Sequence, residues 1–270
     1  MDTDRQLAAL LEPLVTEPGR SAILLDLDGT LAPIVARPDD VDIPLPLRAL
    51  LATLPGRYGL VAFVSGRALG DLRRIVGLDG VAYSGNHGME LVLTDGRSLP
   101  QPGIDLRSLR AFVAEWPAGR LQPFGIWLED KGATLTFHYR TAPDPERARV
   151  YLETHVAPAG TVAGLSVAPG RMSLEVHPPG GVNKGTAVAA LLRETPGIHH
   201  AVSVGDDRTD TDVWSVLRQM IRSGELVTGA GIAVTSSETP SVVLESADAL
   251  VAGVAGVEQV LAHLSAAHAV

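Results

Sequence analysis

The stretch Ile23-Leu24-Leu25-Asp26-Leu27-Asp28-Gly29-Thr30-Leu31 constrains this chain more than any other. Ser21 to Leu25 is a short, nearly uninterrupted apolar run entered from Pro18-Gly19. Such a run suits the central strand of a parallel sheet, buried on both faces. It breaks into two aspartates one residue apart, followed by a glycine that can take positive φ and turn the backbone beneath a ligand. Two carboxylates this close repel each other, so a nearby positive charge must make the second tolerable. A divalent cation does so, and Mg²⁺ is held by one or two carboxylates together with substrate phosphate oxygens and water. In open α/β sheets ligands bind just beyond the carboxyl ends of the strands, which is where Asp26 and Asp28 fall. The plainer alternative is a solvated Asp-x-Asp-Gly turn, and the rest of the chain must decide between the two.

Four further segments bear on the choice. Leu60 to Val64 is a second buried strand, ending in Ser65-Gly66-Arg67 before a helix from Leu69 to Val76. That junction offers a hydroxyl and backbone N–H groups to an anion, or simply a serine helix cap. Ala201 to Val204 is a third buried strand, ending in Gly205-Asp206-Asp207-Arg208-Thr209-Asp210. Aspartates at this density are costly unless solvated or holding a cation; beside Asp26 and Asp28 they favour the metal reading. Asn183-Lys184-Gly185-Thr186 opens a helix running through Leu192, and a lysine at the positive end of a helix is unfavourable unless an anion is near. Val81 to Ser84 leads into Gly85-Asn86-His87-Gly88, a tight turn facing the same crevice or a plain hairpin turn; His87 is a candidate substrate contact and a weaker candidate metal ligand. No G-x-x-x-x-G-K-[ST] is present and no G-x-G-x-x-G follows a strand, so this is neither a P-loop nor a dinucleotide fingerprint.

Composition excludes other classes. Lys+Arg of 22 against Asp+Glu of 31 gives a net charge of −9, which argues against an electrostatic nucleic-acid binder but not against a phosphate ligand held by a few basic residues. The chain has no cysteine, so disulfides, zinc-thiolate sites and thiol nucleophiles are ruled out. The acidic start Met1-Asp2-Thr3-Asp4 lacks the pattern of a signal peptide, and no apolar run approaches the ~20 residues of a membrane span. The expectations are a cytoplasmic location, no nucleic-acid or membrane partner, and a monomer.

At 270 residues the chain can hold one large domain or two smaller ones. Helices are expected over Arg5 to Val15, Leu47 to Leu54, Val213 to Ile221 and Val257 to Leu264, strands over Gly231 to Val234 and Ala249 to Val251, a loop from Pro33 to Pro46, and a frayed tail from Ser265. From about Gly103 the pattern changes. Leu106 to Trp116 reads as a helix, followed by a hairpin of Gly125 to Lys131 and Ala133 to Arg140 around Lys131-Gly132. Asp144 to Val156 reads as a second helix, followed by a hairpin of Leu165 to Val167 and Met172 to His177 around Pro169-Gly170. Consecutive hairpins imply an antiparallel sheet. Residues 104–180 are therefore expected to form an α+β module of two α-β-β units, inserted into a parallel-sheet core of residues 1–103 and 181–270, with Pro178-Pro179-Gly180-Gly181 as the hinge. Glu129 and Lys131 share one strand face, as do His138 and Arg140, and Glu175 lies in the last strand. Such a face is a solvated side of the sheet or a sugar-binding surface, since hydroxyls need carboxylate acceptors and cationic donors.

Asp26-Leu27-Asp28-Gly29-Thr30, Ser65, Lys184 and Gly205-Asp206-Asp207, in this order, resemble the haloacid dehalogenase-like phosphatases. Adding Ser65-Gly66-Arg67, Gly85-Asn86-His87-Gly88, Glu129-Asp130-Lys131-Gly132, His138-Tyr139-Arg140, Glu175, Asn183-Lys184-Gly185 and the run to Asp210, the chain is similar to the trehalose-6-phosphate phosphatase family. The resemblance implies an α/β fold with a Rossmann-like haloacid dehalogenase core and an inserted α+β cap. It implies Asp26 as nucleophile, Asp28 as general acid and then base, and Ser65 and Lys184 gripping the phosphoryl group. Mg²⁺ would be held by Asp26, the Asp28 backbone carbonyl and Asp206, with Asp210 in support. The substrate would be met by Arg67, His87, Asn183 and the cap residues Glu129, Lys131, Arg140 and Glu175, and cap closure would exclude water and select the sugar. Two departures are Thr211, where the family commonly has an acid, and Leu27 between the first two aspartates. The core alone does not choose the substrate. A phosphatase of sucrose 6-phosphate or a glycosyl phosphoglycerate, a phosphosugar mutase and a non-catalytic sugar-phosphate binder are the alternatives.

Overall fold

The computed structural model describes residues 2–35, 37–100 and 106–266, with side chains from residue 5 onward. In chain order, α1 (Asp2–Thr16) leads to β1 (Ser21–Leu25), α2 (Leu45–Leu51), β2 (Leu60–Val64), α3 (Leu69–Val76), β3 (Ala82–Gly85), β4 (Glu90–Val92) and β5 (Ser98–Leu99). Next come α4 (Arg107–Ala114), α5 (Ala118–Leu121), β6 (Trp127–Asp130), β7 (Leu135–His138), α6 (Pro145–Tyr151), α7 (Ala157–Val162), β8 (Ser166–Gly170) and β9 (Ser173–His177). The chain closes with α8 (Lys184–Glu194), β10 (His200–Gly205), α9 (Arg208–Arg222), β11 (Thr228–Thr235), α10 (Ser241–Ser246), β12 (Ala249–Ala252) and α11 (Gly253–Ala266). Two compact units result, one of residues 1–100 with 182–270 and one of residues 101–181. The expected boundary at residues 103 and 104 lies outside the described residues.

The first unit is an α/β sandwich around an eight-stranded sheet of order β12-β11-β10-β1-β2-β3-β4-β5. β1 is central and buried along its whole length. Its alternate side chains explain why the run is apolar throughout. Ile23 and Leu25 enter the core beneath α1, α2, α3 and α11, while Ala22 and Leu24 enter the opposite core beneath α8 and α9. β1 pairs in parallel with β10 and β2, with Leu25 beside Val204 and Phe63. The residues that follow each strand therefore emerge together at one edge: Asp26, Asp206 and Ser65.

β4 pairs antiparallel with β3 across Asn86–Gly88, as the hairpin reading of that turn allows, and β5 pairs antiparallel with β4 at the far edge, so the sheet is mixed. They are three and two residues long, too short to show a period.

The second unit is a four-stranded antiparallel sheet, order β6-β7-β9-β8, whose apolar face packs on its helices through Phe112, Trp116, Phe137, Leu152 and Val176. The first hairpin turns at Lys131-Gly132 as expected, with Gly132 N–H donating to Asp130 Oδ1 at 2.8 Å. The second differs. Pro169 and Gly170 lie within β8, paired with Leu174 and Ser173, and the turn falls on Arg171-Met172, with Met172 at φ 53°. β8 is an edge strand, where a proline's missing N–H costs no ladder bond. The helix expected to end at Val156 continues through a π-turn (Leu152–Val156) into α7. Ser265, expected in a frayed tail, is helical and accepts from Arg57 through its carbonyl at 2.5 Å; residues 267–270 lie outside the described residues. α10 had no sequence expectation. Among the described residues no helix is long and apolar enough to cross a membrane.

Candidate active site

Asp26 is the first residue past β1, its N–H still donating to the Val204 carbonyl at 3.0 Å. The backbone then folds tightly: the N–H groups of Leu31 and Ala32 donate to the Leu27 carbonyl at 2.9 and 3.0 Å, and Gly29 N–H to the Ala32 carbonyl at 2.8 Å. Gly29 sits at φ 83°, and a Cβ there would overlap the Asp206 carboxylate. Glycine is required on both counts, because it permits the left-handed turn and lets the two loops close. Leu27 is fully buried in the core beneath α1, so this departure from the family pattern is a packing residue.

Lys184 begins α8 and reaches back beneath β1. Its Nζ donates to Asp26 Oδ1 at 2.7 Å and to Asp210 Oδ1 at 2.8 Å. The anion expected beside a lysine at a helix N-terminus is thus a pair of carboxylates. Asp210 Oδ2 accepts the N–H groups of Asp206 and Asp207 at 3.1 and 3.0 Å, which ties the β10 loop to the first turn of α9. Thr211 donates to the Arg208 carbonyl at 2.7 Å and serves its own helix.

Asp26, Asp206 and Asp210 are all buried and each offers a carboxylate oxygen within 4.8 Å of the others. The Lys184 ammonium bridges two of these three carboxylates, at a depth where charge must be closely compensated. Burial pushes the Asp26 carboxyl up to about 7; attraction to Lys184 opposes that shift, while repulsion from Asp210 and Asp28 adds to it. For Lys184, burial opposes the charge but the pull of Asp210 and Asp26 outweighs it and holds the ammonium above its ordinary value. Asp212, half-buried behind the cluster, is also raised by burial and by Asp210. All the acidic donors are hard oxygens, so the residues fit a hard divalent cation such as Mg²⁺ and not a thiophilic metal.

Asp28 is more open and is gripped by Arg67: Nε donates to Oδ2 at 2.7 Å and Nη2 to Oδ1 at 2.8 Å, while Nη1 donates to the Pro38 carbonyl at 2.9 Å. Arg67, expected to face the substrate, holds the second aspartate in a bidentate pairing of the strong kind. Ser65 stands at the end of β2, its N–H on the Ser84 carbonyl at 2.9 Å and its Oγ accepting from Arg67 N–H at 3.2 Å. Asn86 and His87 form a strained turn with φ of 48° and 54°, outside the three-carboxylate cluster. Glu90, which sequence reasoning missed, clamps that turn by accepting from Asn86 Nδ2 at 2.5 Å and Leu69 N–H at 3.0 Å. Asn183 caps α8, its Oδ1 accepting Thr186 N–H at 2.8 Å.

In the second unit, register places Glu129, Thr136 and Glu175 in one cross-strand row on the polar face. Glu129 Oε2 lies 2.8 Å from His138 Nε2 and 3.8 Å from Lys131 Nζ, and Glu175 Oε2 lies 3.3 Å from His177 Nε2. Arg140 lies past the end of β7, its Nη2 3.5 Å from the Arg171 carbonyl.

The trehalose-phosphatase family model matches residues 24–245. A probable trehalose-phosphate phosphatase of Sinorhizobium fredii is 33% identical over 231 residues, 84% of this chain and 84% of the relative. The trehalose-6-phosphate phosphatase of Escherichia coli is 32% identical over 224 residues, 78% of this chain and 80% of the relative. Among solved structures, the C-terminal domain of Candida albicans trehalose-6-phosphate phosphatase shares the fold, with a TM-score of 0.77 over 96% of this chain and 97% of that one at 23% identity.

Proposed function

The chain belongs to the trehalose-phosphatase family, and on that premise we propose that it is a Mg²⁺-dependent phosphomonoesterase converting trehalose 6-phosphate to trehalose and phosphate through an aspartyl-phosphate. The observation that carries the chemistry is the buried contact of Asp26 with Lys184, two residues before an acid held in a different environment. A carboxylate nucleophile must be ionised when it attacks, and burial opposes this. The Lys184 ammonium offsets part of that opposition.

An Asp26 carboxylate oxygen bonds to phosphorus as the bond from phosphorus to the sugar oxygen breaks, and Asp28 gives its proton to the leaving alkoxide. Asp28 then takes a proton from water, whose oxygen attacks phosphorus; the acyl-phosphate linkage breaks, phosphate leaves and Asp26 is restored. The two carboxylates stand in different environments, and to act as the acid Asp28 takes up its proton against the pull of the Arg67 guanidinium. Ser65 and Lys184 hold the transferring oxygens, where charge stabilisation supplies most of the rate. Mg²⁺, held by Asp26, the Asp28 carbonyl and Asp206 with Asp210 in support, would add positive charge at those same oxygens. Glu129, Lys131, Arg140 and Glu175, together with His87, would contact the sugar.

Phosphate release from a panel of trehalose 6-phosphate, sucrose 6-phosphate and a glycosyl phosphoglycerate, with Mg²⁺ and with chelator, tests the reading. The trehalose ester should be preferred and chelation should abolish turnover. Preference for another ester moves the substrate assignment, and full turnover in chelator removes the metal.

A further inference from the structure

The chain has three tryptophans, and two are buried in the cores: Trp116 is 2% exposed and Trp214 is 1% exposed. Trp127 is 39% exposed. It belongs to β6, at the edge of the second unit's sheet, and the next residue, Leu128, faces the apolar core, so alternation puts Trp127 on the polar face with Glu129. Across the strands it opposes His138, whose ring stacks on the indole at 4.1 Å between centroids with 15° between planes. The imidazole is itself held by Glu129 Oε2 at 2.8 Å. A carboxylate thus fixes a histidine, and the histidine fixes the plane of an indole beside that same carboxylate.

A cross-strand aromatic pair stabilises a sheet and accounts for the stacked side of the ring. It does not account for leaving a large apolar surface exposed among ionisable groups, where a buried position or a smaller residue would cost less. A pyranose has the complementary form: a face of ring hydrogens that packs on a π surface, and a rim of hydroxyls that need carboxylate and cationic partners. An indole also brings this area at low entropic cost, since only two side-chain torsions must be ordered.

We propose that Trp127 is a stacking platform for a glucopyranose ring of the substrate, with its plane set by the Glu129-His138 contact. The inference rests on the sugar-phosphatase reading. It makes Trp127 a specificity-determining residue that acts on binding and not on phosphoryl transfer.

The test uses the full chain with Mg²⁺ and two substrates, trehalose 6-phosphate and p-nitrophenyl phosphate, which has no pyranose. Trp127→Leu should raise KM for the trehalose ester by about 3- to 10-fold, the range expected for an aromatic contact. The loss should exceed any loss on p-nitrophenyl phosphate by the same factor, and Trp127→Phe should restore most of it. Titrating trehalose into the wild type should shift the tryptophan emission, since the other two indoles are buried, and the shift should vanish in Trp127→Phe. Equal losses on the two substrates would assign Trp127 a structural role, and an unchanged KM in Trp127→Leu or an emission shift that persists in Trp127→Phe would equally overturn the inference. Failure of the underlying reading is seen separately, in a wild type that cleaves p-nitrophenyl phosphate but not the trehalose ester, and that outcome overturns both.

Discussion

The acids at the end of the core sheet and those on the face of the insert's sheet are held under opposite conditions. In the core, the Asp26, Asp210 and Lys184 side chains are 6%, 3% and 3% exposed, and each charge meets fixed partners at 2.7 to 2.8 Å. In the insert, Glu129 and Glu175 are 25% and 20% exposed and lie along a strand face beside histidines. Deep burial makes each charge costly and leaves it few possible partners, so one substitution disturbs the whole cluster. Partial exposure lets water compensate for a lost partner, so the face can vary residue by residue. On the function proposed, reaction chemistry falls to the first setting and substrate selection to the second.

The comparison can be broken most severely at Asp26. Asp26→Asn should lower phosphate release by about 10⁴-fold or more while leaving the thermal transition cooperative, because a nucleophile has no substitute. Undiminished turnover would reassign the role.

Lys184→Met strikes the same cluster through stability. Removing one partner of a buried ion pair costs about 3–5 kcal/mol, measured by denaturant unfolding of the metal-free protein, and added Mg²⁺ should return part of it. A neutral result would mean that the cluster tolerates its charge without the lysine.

The pH dependence follows from Asp26, whose carboxyl lies at about 7 in the fold against 3.8 for the ordinary group. Between these values the folded state keeps a proton that the unfolded chain has released. This contribution to stability is full below pH 3.8 and fades as pH rises through about 7. Unfolding of chelated wild type at pH 5 and pH 8 should show the decline, and Asp26→Asn should flatten it.

Arg67→Gln removes the bidentate grip on Asp28 and should reduce kcat on the sugar phosphate by about tenfold, a fraction of what a general acid contributes. Equal effects on kcat and KM would favour the substrate-contact role that the resemblance implies for Arg67. The smallest effect is expected in the insert, where Glu129→Gln should raise KM by about three- to tenfold with little change in kcat.

Local pattern carried much of this. β1, β2 and α3 fall where the apolar runs and their punctuation placed them, and both α-β-β units of the insert are present. The acidic strand ends were legible because carboxylates at that density demand an explanation wherever they fall. The antiparallel edge strand β5 and the turn at Arg171-Met172 were not legible, since short strands show no period and an edge strand can hide a Pro-Gly pair.

What the amino-acid order determined by itself is the set of segments and the chemical character of each end: which runs are buried on both faces, and which end in oxygen donors. Only the tertiary structure decided the pairings. Lys184 meets Asp26 across 158 positions, Arg67 meets Asp28 across 39, and the His138 ring lies on Trp127 through the register of two strands. Periodicity reports how a segment meets the core, which is a local property. Which charge neutralises which is settled where strand ends converge, and no local pattern records that convergence.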